Sequence, residues 1–359
     1  MTHRPGVALI GAGFMGEVHA RAARAAGLTV VGIAASTPVR STAAAARLGI
    51  DTAYPDAAAA LADDRVSIVH VLTPNASHHE LASAALAAGK HVVCEKPLAT
   101  NVADAADLVQ RADASGLVAA VPFVYRFHPM AREMRARVAS GATGTIASVQ
   151  GAYLQDWLLG SDDDNWRVDP AAGGASRAFG DIGSHLCDLL EFTTGDRIAR
   201  LQAITRTVIG ERPTSGAVTT EDLVGVLAQL EGGAVASLLV SQVAPGRKNG
   251  LVLELHGSAE SLRFEQENPE LLWIGRREGS VLQPRDPAAL SPDAARLSVL
   301  PAGHPLGYQD AFTAFVCDVA AAVNGDTPDG LPLFADGERA ARITDAVLAS
   351  AGSGEWVGV

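Results

Sequence analysis

Val7-Ala8-Leu9-Ile10-Gly11-Ala12-Gly13-Phe14-Met15-Gly16 is an apolar run that ends in three glycines spaced G-x-G-x-x-G, and an alanine-rich segment over 17–26 follows it. The order predicts strand, tight turn and helix. Gly11 allows the sharp turn, Gly13 lets a pyrophosphate approach the backbone, and Gly16 lets the helix pack on the strand. The N–H groups that open the helix, at Phe14 and Met15, then face the phosphates. A plain strand-turn-helix corner is the competing reading. The strand before the motif and the helix after it favour dinucleotide binding.

Working outward, the apolar run over 30–34 reads as a second strand, buried on both faces of a parallel sheet. In Ala35-Ser36-Thr37-Pro38-Val39-Arg40, Thr37 is placed to cap a helix and Pro38 to take its first position. An NAD site usually carries Asp or Glu about 20 residues past the glycines, on the ribose 2′-hydroxyl. Ala35 stands there instead. Without a carboxylate to repel a 2′-phosphate, and with Ser36, Thr37 and Arg40 as partners for one, NADP is favoured, with NAD as the alternative. Helices over 43–48, 57–61, 79–88 and 102–115 alternate with strands over 68–72, 91–94 and 117–122. That alternation predicts an α/β Rossmann domain, a doubly wound parallel sheet over 1–122.

Ligands of such sheets bind at the C-terminal strand ends, which singles out two loops. In Thr73-Pro74-Asn75-Ala76-Ser77-His78-His79-Glu80, Ser77 and Glu80 have capping-box spacing, which puts Thr73, Pro74, Asn75 and His78 beside a cofactor. Turn residues and a surface histidine would look the same. The second loop is Glu95-Lys96-Pro97. Lys96 is a candidate to polarise a substrate oxygen, because desolvation and nearby charge tune a lysine. An exposed loop lysine is the alternative.

Past Pro122 the composition shifts to aromatics and longer loops, beginning with Phe123-Val124-Tyr125-Arg126-Phe127-His128-Pro129 and a helix over 130–140. Strands over 146–154, 200–208, 223–230, 234–243, 251–257 and 261–265, with a Gly232-Gly233 hairpin turn, predict a C-terminal α+β domain over 123–359. Its large, mostly antiparallel sheet leaves one face for helices and the other for a partner subunit. Helices over 308–323 and 335–350 close the chain in packing roles. The run Asp162-Asp163-Asp164 reads as a solvated loop, since it lacks the alternating ligands of a metal loop.

In Gly180-Asp181-Ile182-Gly183-Ser184-His185, a helix starting at Asp181 would put Asp181 and His185 on one face. A carboxylate one turn before a histidine orients it and raises its basicity, as a general base for an alcohol proton requires. A capping aspartate with a buried histidine fits the same spacing, as does a metal pair. No further ligand follows at metal spacing, so no metal is expected.

Lys plus Arg number 28 against 40 Asp plus Glu, a net charge of -12 that argues against nucleic acid and anionic membrane as partners. Cys94, Cys187 and Cys317 form no C-x-x-C pair, which fits a reducing compartment. Met1-Thr2-His3-Arg4-Pro5 leads straight into the first strand, and no run of about 18 apolar residues occurs. A soluble, cytoplasmic protein is expected.

Gly11 through Gly16, Glu95-Lys96-Pro97, Tyr125-Arg126-Phe127 and Asp181 through His185 together resemble the Gfo/Idh/MocA oxidoreductase family, in its order and spacing and over essentially the whole chain. The resemblance implies that Lys96, Asp181 and His185 are catalytic, with Glu95 and Pro97 beside the cofactor. Tyr153-Leu154-Gln155-Asp156-Trp157 and His304 resemble the levoglucosan and inositol dehydrogenase type of branch, which acts on rings. It follows that Tyr125, Arg126, Tyr153, Gln155, Trp157, Trp166 and His304 are candidates for a carbohydrate pocket, Trp157 and Trp166 being equally suited to a domain core. The implied reaction is hydride transfer between a ring hydroxyl or ketone and NAD(P), in a homodimer or homotetramer built through the C-terminal sheet. An NAD-dependent glycosidase and a non-catalytic dinucleotide-sensing regulator are the alternatives on this fold.

Overall fold

The computed structural model describes residues 5–359, so the reading of Met1-Thr2-His3-Arg4 lies outside the described residues. The chain divides into two units, Met1–Val124 with Tyr308–Arg339 and Tyr125–Gly307 with Ala340–Val359.

The first unit alternates β1 (Gly6–Ile10), α1 (Phe14–Ala25), β2 (Thr29–Ala34), α2 (Pro38–Leu48), β3 (Thr52–Tyr54), α3 (Ala57–Leu61), β4 (Ile68–Val71), α4 (His78–Ala87), β5 (His91–Cys94), α5 (Val102–Ser115) and β6 (Ala119–Ala120). The strands pair in parallel in the order β3-β2-β1-β4-β5-β6. β1 and β4 are buried along their whole length, as helices on both faces require. Thr37 accepts the Arg40 N–H at 3.2 Å and Pro38 opens α2, as the sequence predicts, so the helix expected over 43–48 is the C-terminal part of a longer one. The strand over 117–122 shrinks to Ala119–Ala120, and Val121 N–H bonds Pro332 O instead. The Ser77–Glu80 capping box does not form. Ser77 has a helical backbone, and its hydroxyl donates to Pro74 O at 2.8 Å and lies 2.7 Å from the Thr73 hydroxyl.

The second unit contains α6 (Pro129–Ala139), β7 (Ile146–Leu154), α7 (Pro170–Gly173), α8 (Ser184–Thr194), β8 (Ile198–Arg206), β9 (Glu211–Arg212), β10 (Gly216–Ala217), β11 (Leu223–Leu230), β12 (Val235–Ser241), β13 (Gly250–Gly257), β14 (Ser261–Glu265), β15 (Leu271–Arg276), β16 (Gly279–Pro284) and α9 (Pro292–Leu297). The chain closes with α10 (Tyr308–Val323), α11 (Phe334–Ser353) and β17 (Val357–Gly358). The nine-stranded sheet has the order β16-β15-β14-β13-β7-β12-β11-β8-β17 and is antiparallel except where β7 meets β12. The β15–β16 hairpin extends it beyond the strands expected from sequence.

Period-two alternation sets the two faces. Val224, Val226, Ala228, Ala236, Leu238 and Val240 are buried, and α8 packs on β7 and β13. Ile204, Leu227, Val235 and Leu239 are exposed on the opposite face. The segment 308–339, expected in the domain over 123–359, packs in the first unit instead. Buried Phe312, Phe315 and Val319 make α10 a cover for α1, with Phe312 5.1 Å from the His19 ring and Gln309 Nε2 donating to Val18 O at 3.1 Å. Among the described residues no helix is long and apolar enough to cross a membrane.

Candidate functional site

The glycine turn has the shape a dinucleotide needs. Gly11 has φ +123°, and a Cβ there would lie 2.5 Å from Leu72 O; a Cβ on Gly16 would lie 2.7 Å from Gly11 O. Both are close approaches that only glycine allows. At Gly13 a Cβ would meet nothing within 4 Å among the described residues, so this position opens onto free space at the start of α1. Gly13 and Phe14 are exposed, and no side chain caps that helix end. An open, uncapped helix N-terminus fits a pyrophosphate. Arg47 Nη2, from α2, braces the turn by donating to Ala12 O at 3.0 Å. At the end of β2, the Ala35 N–H donates to Ser41 Oγ at 2.8 Å, and Arg40 Nη1 donates to the Ser36 hydroxyl at 3.1 Å.

Behind Lys96 lies a buried polar chain. The Glu95 carboxylate accepts the Lys96 backbone N–H at 3.1 Å and stands 3.1 Å from His19 Nε2. His19 Nδ1 is 2.9 Å from Nδ1 of His70. With both rings neutral, one pattern satisfies these contacts: His19 donates from Nε2 to the carboxylate, and His70 donates from Nδ1 to His19. His70 Nε2 is then a bare acceptor, and it is buried with no partner among the described residues. Burial, then the neighbouring His19, holds the His70 pKa well below its usual value. Burial works to raise the Glu95 pKa, but His19, Lys96 and His78 outweigh it and leave the carboxyl below its usual range.

His78 is fully buried, with Nδ1 2.8 Å from Pro97 O and Nε2 2.9 Å from Thr73 O, so its ring ties the two strand-end loops together. It is neither a surface histidine nor one with ring nitrogens turned to a ligand. Asn75 is buried and Pro74 exposed, and the Lys96–Pro97 peptide is cis. Sequence reasoning missed His19 and His70. The available signal was a histidine on the inward face of α1 and another inside the apolar strand β4.

In the second unit, Asp181 belongs to a single π-helical turn, Phe179–Gly183, and the α-helix starts only at Ser184, not at Asp181 as expected. The Glu221 carboxylate caps this turn, accepting the N–H groups of Arg177 and Phe179 at 3.0 Å and the Ser176 hydroxyl at 2.7 Å. Asp181 Oδ2 accepts Gln242 Nε2 at 2.9 Å, and Oδ1 lies 3.3 Å from Arg167 Nε. His185 is 7% exposed, its ring edge-on to Tyr125 with centroids 5.0 Å apart and 6.5 Å from the Tyr153 ring. Tyr125 and Tyr153 join hydroxyl to hydroxyl. Asn249 organises this wall. It accepts from Tyr153 at 2.6 Å and from Gln155 Nε2 at 3.0 Å, and it donates to the Tyr125 hydroxyl at 3.2 Å. Trp157 Nε1 donates to Gln155 Oε1 at 2.7 Å, so four expected pocket residues form one network. Burial, helped by the Asp181 charge and opposed by the Tyr153 and Asn249 bonds, pushes the Tyr125 phenol up to about 12.

Three other candidates sit differently. Arg126 is buried; its guanidinium forms a forked ion pair with Asp188 and lies over Phe192, which commits it to anchoring α8. Trp166 stacks on the Arg167 guanidinium at 4.4 Å and lines a cavity of about 740 Å³ with Asp164, Asn165 and Thr214. His304 is exposed; its Nδ1 lies 3.3 Å from Ala302 O, and Arg285 holds its carbonyl at 2.6 Å. Gln242, Arg167 and Asn249 were all missed, because each lies in a connection where sequence spacing carries no sign of its partner. Among the described residues no three His, Cys, Asp or Glu side chains gather as a metal site.

Residues 6–123 match the Gfo/Idh/MocA oxidoreductase family, NAD-binding Rossmann fold, and residues 131–263 match the C-terminal domain of the same family. Levoglucosan dehydrogenase of Pseudarthrobacter phenanthrenivorans is 32% identical across 98% of this chain and 97% of its own. The chain belongs to the Gfo/Idh/MocA oxidoreductase family. Solved structures of similar proteins share the fold. A levoglucosan dehydrogenase complex with NADH and levoglucosan has a TM-score of 0.93 at 31% identity over 99% of each chain. An inositol dehydrogenase homologue from Azotobacter vinelandii, complexed with NAD+, has a TM-score of 0.91 at 28% identity, over 100% of this chain and 98% of that one. The first unit is accordingly an NAD(P)-binding Rossmann domain, and the chain is an oxidoreductase.

Proposed function

We propose that this protein is an NAD(P)-dependent dehydrogenase that moves a hydride between the nicotinamide and a ring hydroxyl or ketone of a sugar, anhydrosugar or cyclic polyol. The observation that carries this reading is the setting of His185, nearly buried, edge-on to Tyr125, and one turn from a carboxylate held at both oxygens. In the oxidative direction His185 takes the hydroxyl proton and Asp181 supports the cation that results. Lys96, on a loop braced by Glu95 and His78, donates to the substrate oxygen. In reduction the same groups return the proton. The bound nicotinamide supplies the hydride acceptor or donor. Tyr125, Tyr153, Gln155, Trp157, Trp166 and His304 are the proposed carbohydrate contacts, aromatic faces covering C–H surface and polar groups reading hydroxyls.

Gly11, Gly13, Phe14, Met15 and Gly16 are assigned to the pyrophosphate, and Thr73, Pro74, Asn75, Glu95, Lys96 and Pro97 to the strand-end side of the cofactor. NADP is the proposed preference, because Arg40 already reaches Ser36 at the end of β2, where Ala35 offers no carboxylate. The exposed sheet face carrying Ile204, Leu227, Val235 and Leu239 supports self-association as a dimer or tetramer, to be read by light scattering. Cys94, Cys187 and Cys317, not joined by disulfides, fit a cytoplasmic setting, which cell fractionation tests.

The deciding experiment follows absorbance at 340 nm with levoglucosan, common pyranoses and inositols against NAD+ and NADP+. One substrate should reduce the cofactor, with activity lost in Lys96→Ala and His185→Ala while dinucleotide binding persists. Arg40→Ala should weaken NADP+ at least about 10-fold more than NAD+. Hydrolysis of a nitrophenyl glycoside without net cofactor reduction would overturn the dehydrogenase reading.

A further inference from the structure

Gln242 lies just past the end of β12 and is completely buried. Its Nε2 donates to Asp181 Oδ2 at 2.9 Å, while its own Oε1 is buried with no hydrogen-bond partner among the described residues. A buried amide oxygen left unsatisfied is unfavourable, and the amide cannot simply turn over, because its carbonyl would then face a carboxylate oxygen. The observed orientation is therefore the one an ionised Asp181 selects. On the other side, Asp181 Oδ1 faces the Arg167 guanidinium at 3.3 Å, and that guanidinium lies 4.4 Å from the centre of the Trp166 ring. One carboxylate oxygen is held from the sheet and the other from the loop that carries Trp166. The Tyr125 phenol, which senses the Asp181 charge, His185, four residues on, and the Glu221 carboxylate that caps the same turn are further titratable groups at hand.

We propose that Gln242 is a positioning residue for Asp181, and that Arg167 is the second arm of the same clamp, coupling the carboxylate to the Trp166 loop. The catalytic consequence rests on the assignment of Asp181 to the proton-transfer machinery; the clamp itself rests on geometry. Gln242→Glu is the informative substitution. It keeps the size of the side chain but sets a carboxyl against a carboxylate at hydrogen-bond distance, where the two cannot both ionise and must share one proton. The shared proton restores a donor at low pH and disappears as pH rises.

Two measurements test this. First, kcat and KM for levoglucosan with the preferred cofactor are followed from about pH 5 to about pH 9 in wild type, Gln242→Glu, Gln242→Leu and Asp181→Asn, each checked for a cooperative melt. Relative to wild type at the same pH, Gln242→Glu should stay within about 3-fold at the acid end and fall at least about 10-fold at the alkaline end. Gln242→Leu should lose at least about 10-fold in kcat throughout, with cofactor KM within about 2-fold. Second, the Asp181 carboxyl signal, assigned by its loss in Asp181→Asn, is titrated by carbon-13 NMR, which needs no turnover. Its midpoint should rise by about one pH unit or more in Gln242→Glu. An Asp181 titration unchanged by Gln242→Glu would overturn the clamp, as would Gln242 variants with wild-type kcat and pH profile beside an inactive Asp181→Asn. Full activity in Asp181→Asn, with the NMR shift present, would instead leave the clamp standing and remove Asp181 from the reaction.

Discussion

The side-chain oxygen of Asn249 stands 2.6 Å from the Tyr153 hydroxyl and accepts its hydrogen bond. The same oxygen takes Gln155 Nε2, and the amide nitrogen donates to Tyr125, so one residue sets the direction of three polar groups beside His185. Asn249→Ala should raise the sugar KM at least about 10-fold by loosening this wall. The dissociation constant of the dinucleotide, measured by calorimetry, should move less than about 2-fold.

Gly13 and Gly16 separate binding from folding. A Cβ at Gly13 points into open space, whereas one at Gly16 would lie 2.7 Å from Gly11 O. Gly13→Ala should melt within about 2 °C of wild type yet bind dinucleotide at least about 10-fold more weakly. Gly16→Ala should lose about 1–3 kcal/mol of stability, seen in urea unfolding.

Removing His19 strands a buried carboxylate. Glu95 is 7% exposed and its carboxylate faces His19 Nε2 at 3.1 Å, with the backbone of Lys96 its other partner. His19→Phe should cost about 1–3 kcal/mol, the penalty of leaving a buried carboxylate without that donor. Adding Glu95→Gln should recover part of that loss, and the double-mutant coupling should be about 1–3 kcal/mol.

Acid should weaken the fold through histidines that are buried neutral. Burial lowers the pKa of His70 and His128, the latter from 6.5 to about 4. A folded pKa below the unfolded one means that the unfolded chain takes up the proton first as pH falls. For His128 that stability is complete above about pH 6.5 and drains away between about 6.5 and 4, at about 1.36 kcal/mol per pKa unit. For His128 the full loss is roughly 3 kcal/mol. His128→Phe keeps an aromatic ring against Tyr125 and has no proton to gain, so its stability should fall less between pH 7 and pH 5, by about 2 kcal/mol, in denaturant titrations.

Local signals in the chain reached some elements and not others. The strands over 146–154, 223–230 and 261–265 and the helices over 102–115 and 308–323 lie where their periodicity puts them, because each has a complete apolar face. The edge hairpin β15–β16 escaped, since its outer strand is largely exposed and shows no buried face to read. The Ser77–Glu80 spacing misled because a hydroxyl two bonds from its own backbone found nearer partners in Thr73 and Pro74. The family motifs point to Lys96, Asp181 and His185. The partners that hold them, Glu95 with His19 and Asp181 with Gln242 and Arg167, are 61 or more positions apart in two of the three pairs, beyond the range of any periodic pattern.

The cover that α10 lays on α1 fixes an order of manufacture. Gln309 and Val18 are joined by a hydrogen bond across 291 positions, and Phe312 shields the ring of His19. A ribosome therefore releases residues 125–307 of the second unit before it delivers the helix that finishes the first. A fragment stopped at Val124 carries the glycine turn and Lys96 but lacks that helix, and it would emerge with one side of α1 bare. Splitting this protein for expression, or grafting its nucleotide half elsewhere, has to carry 308–339 along.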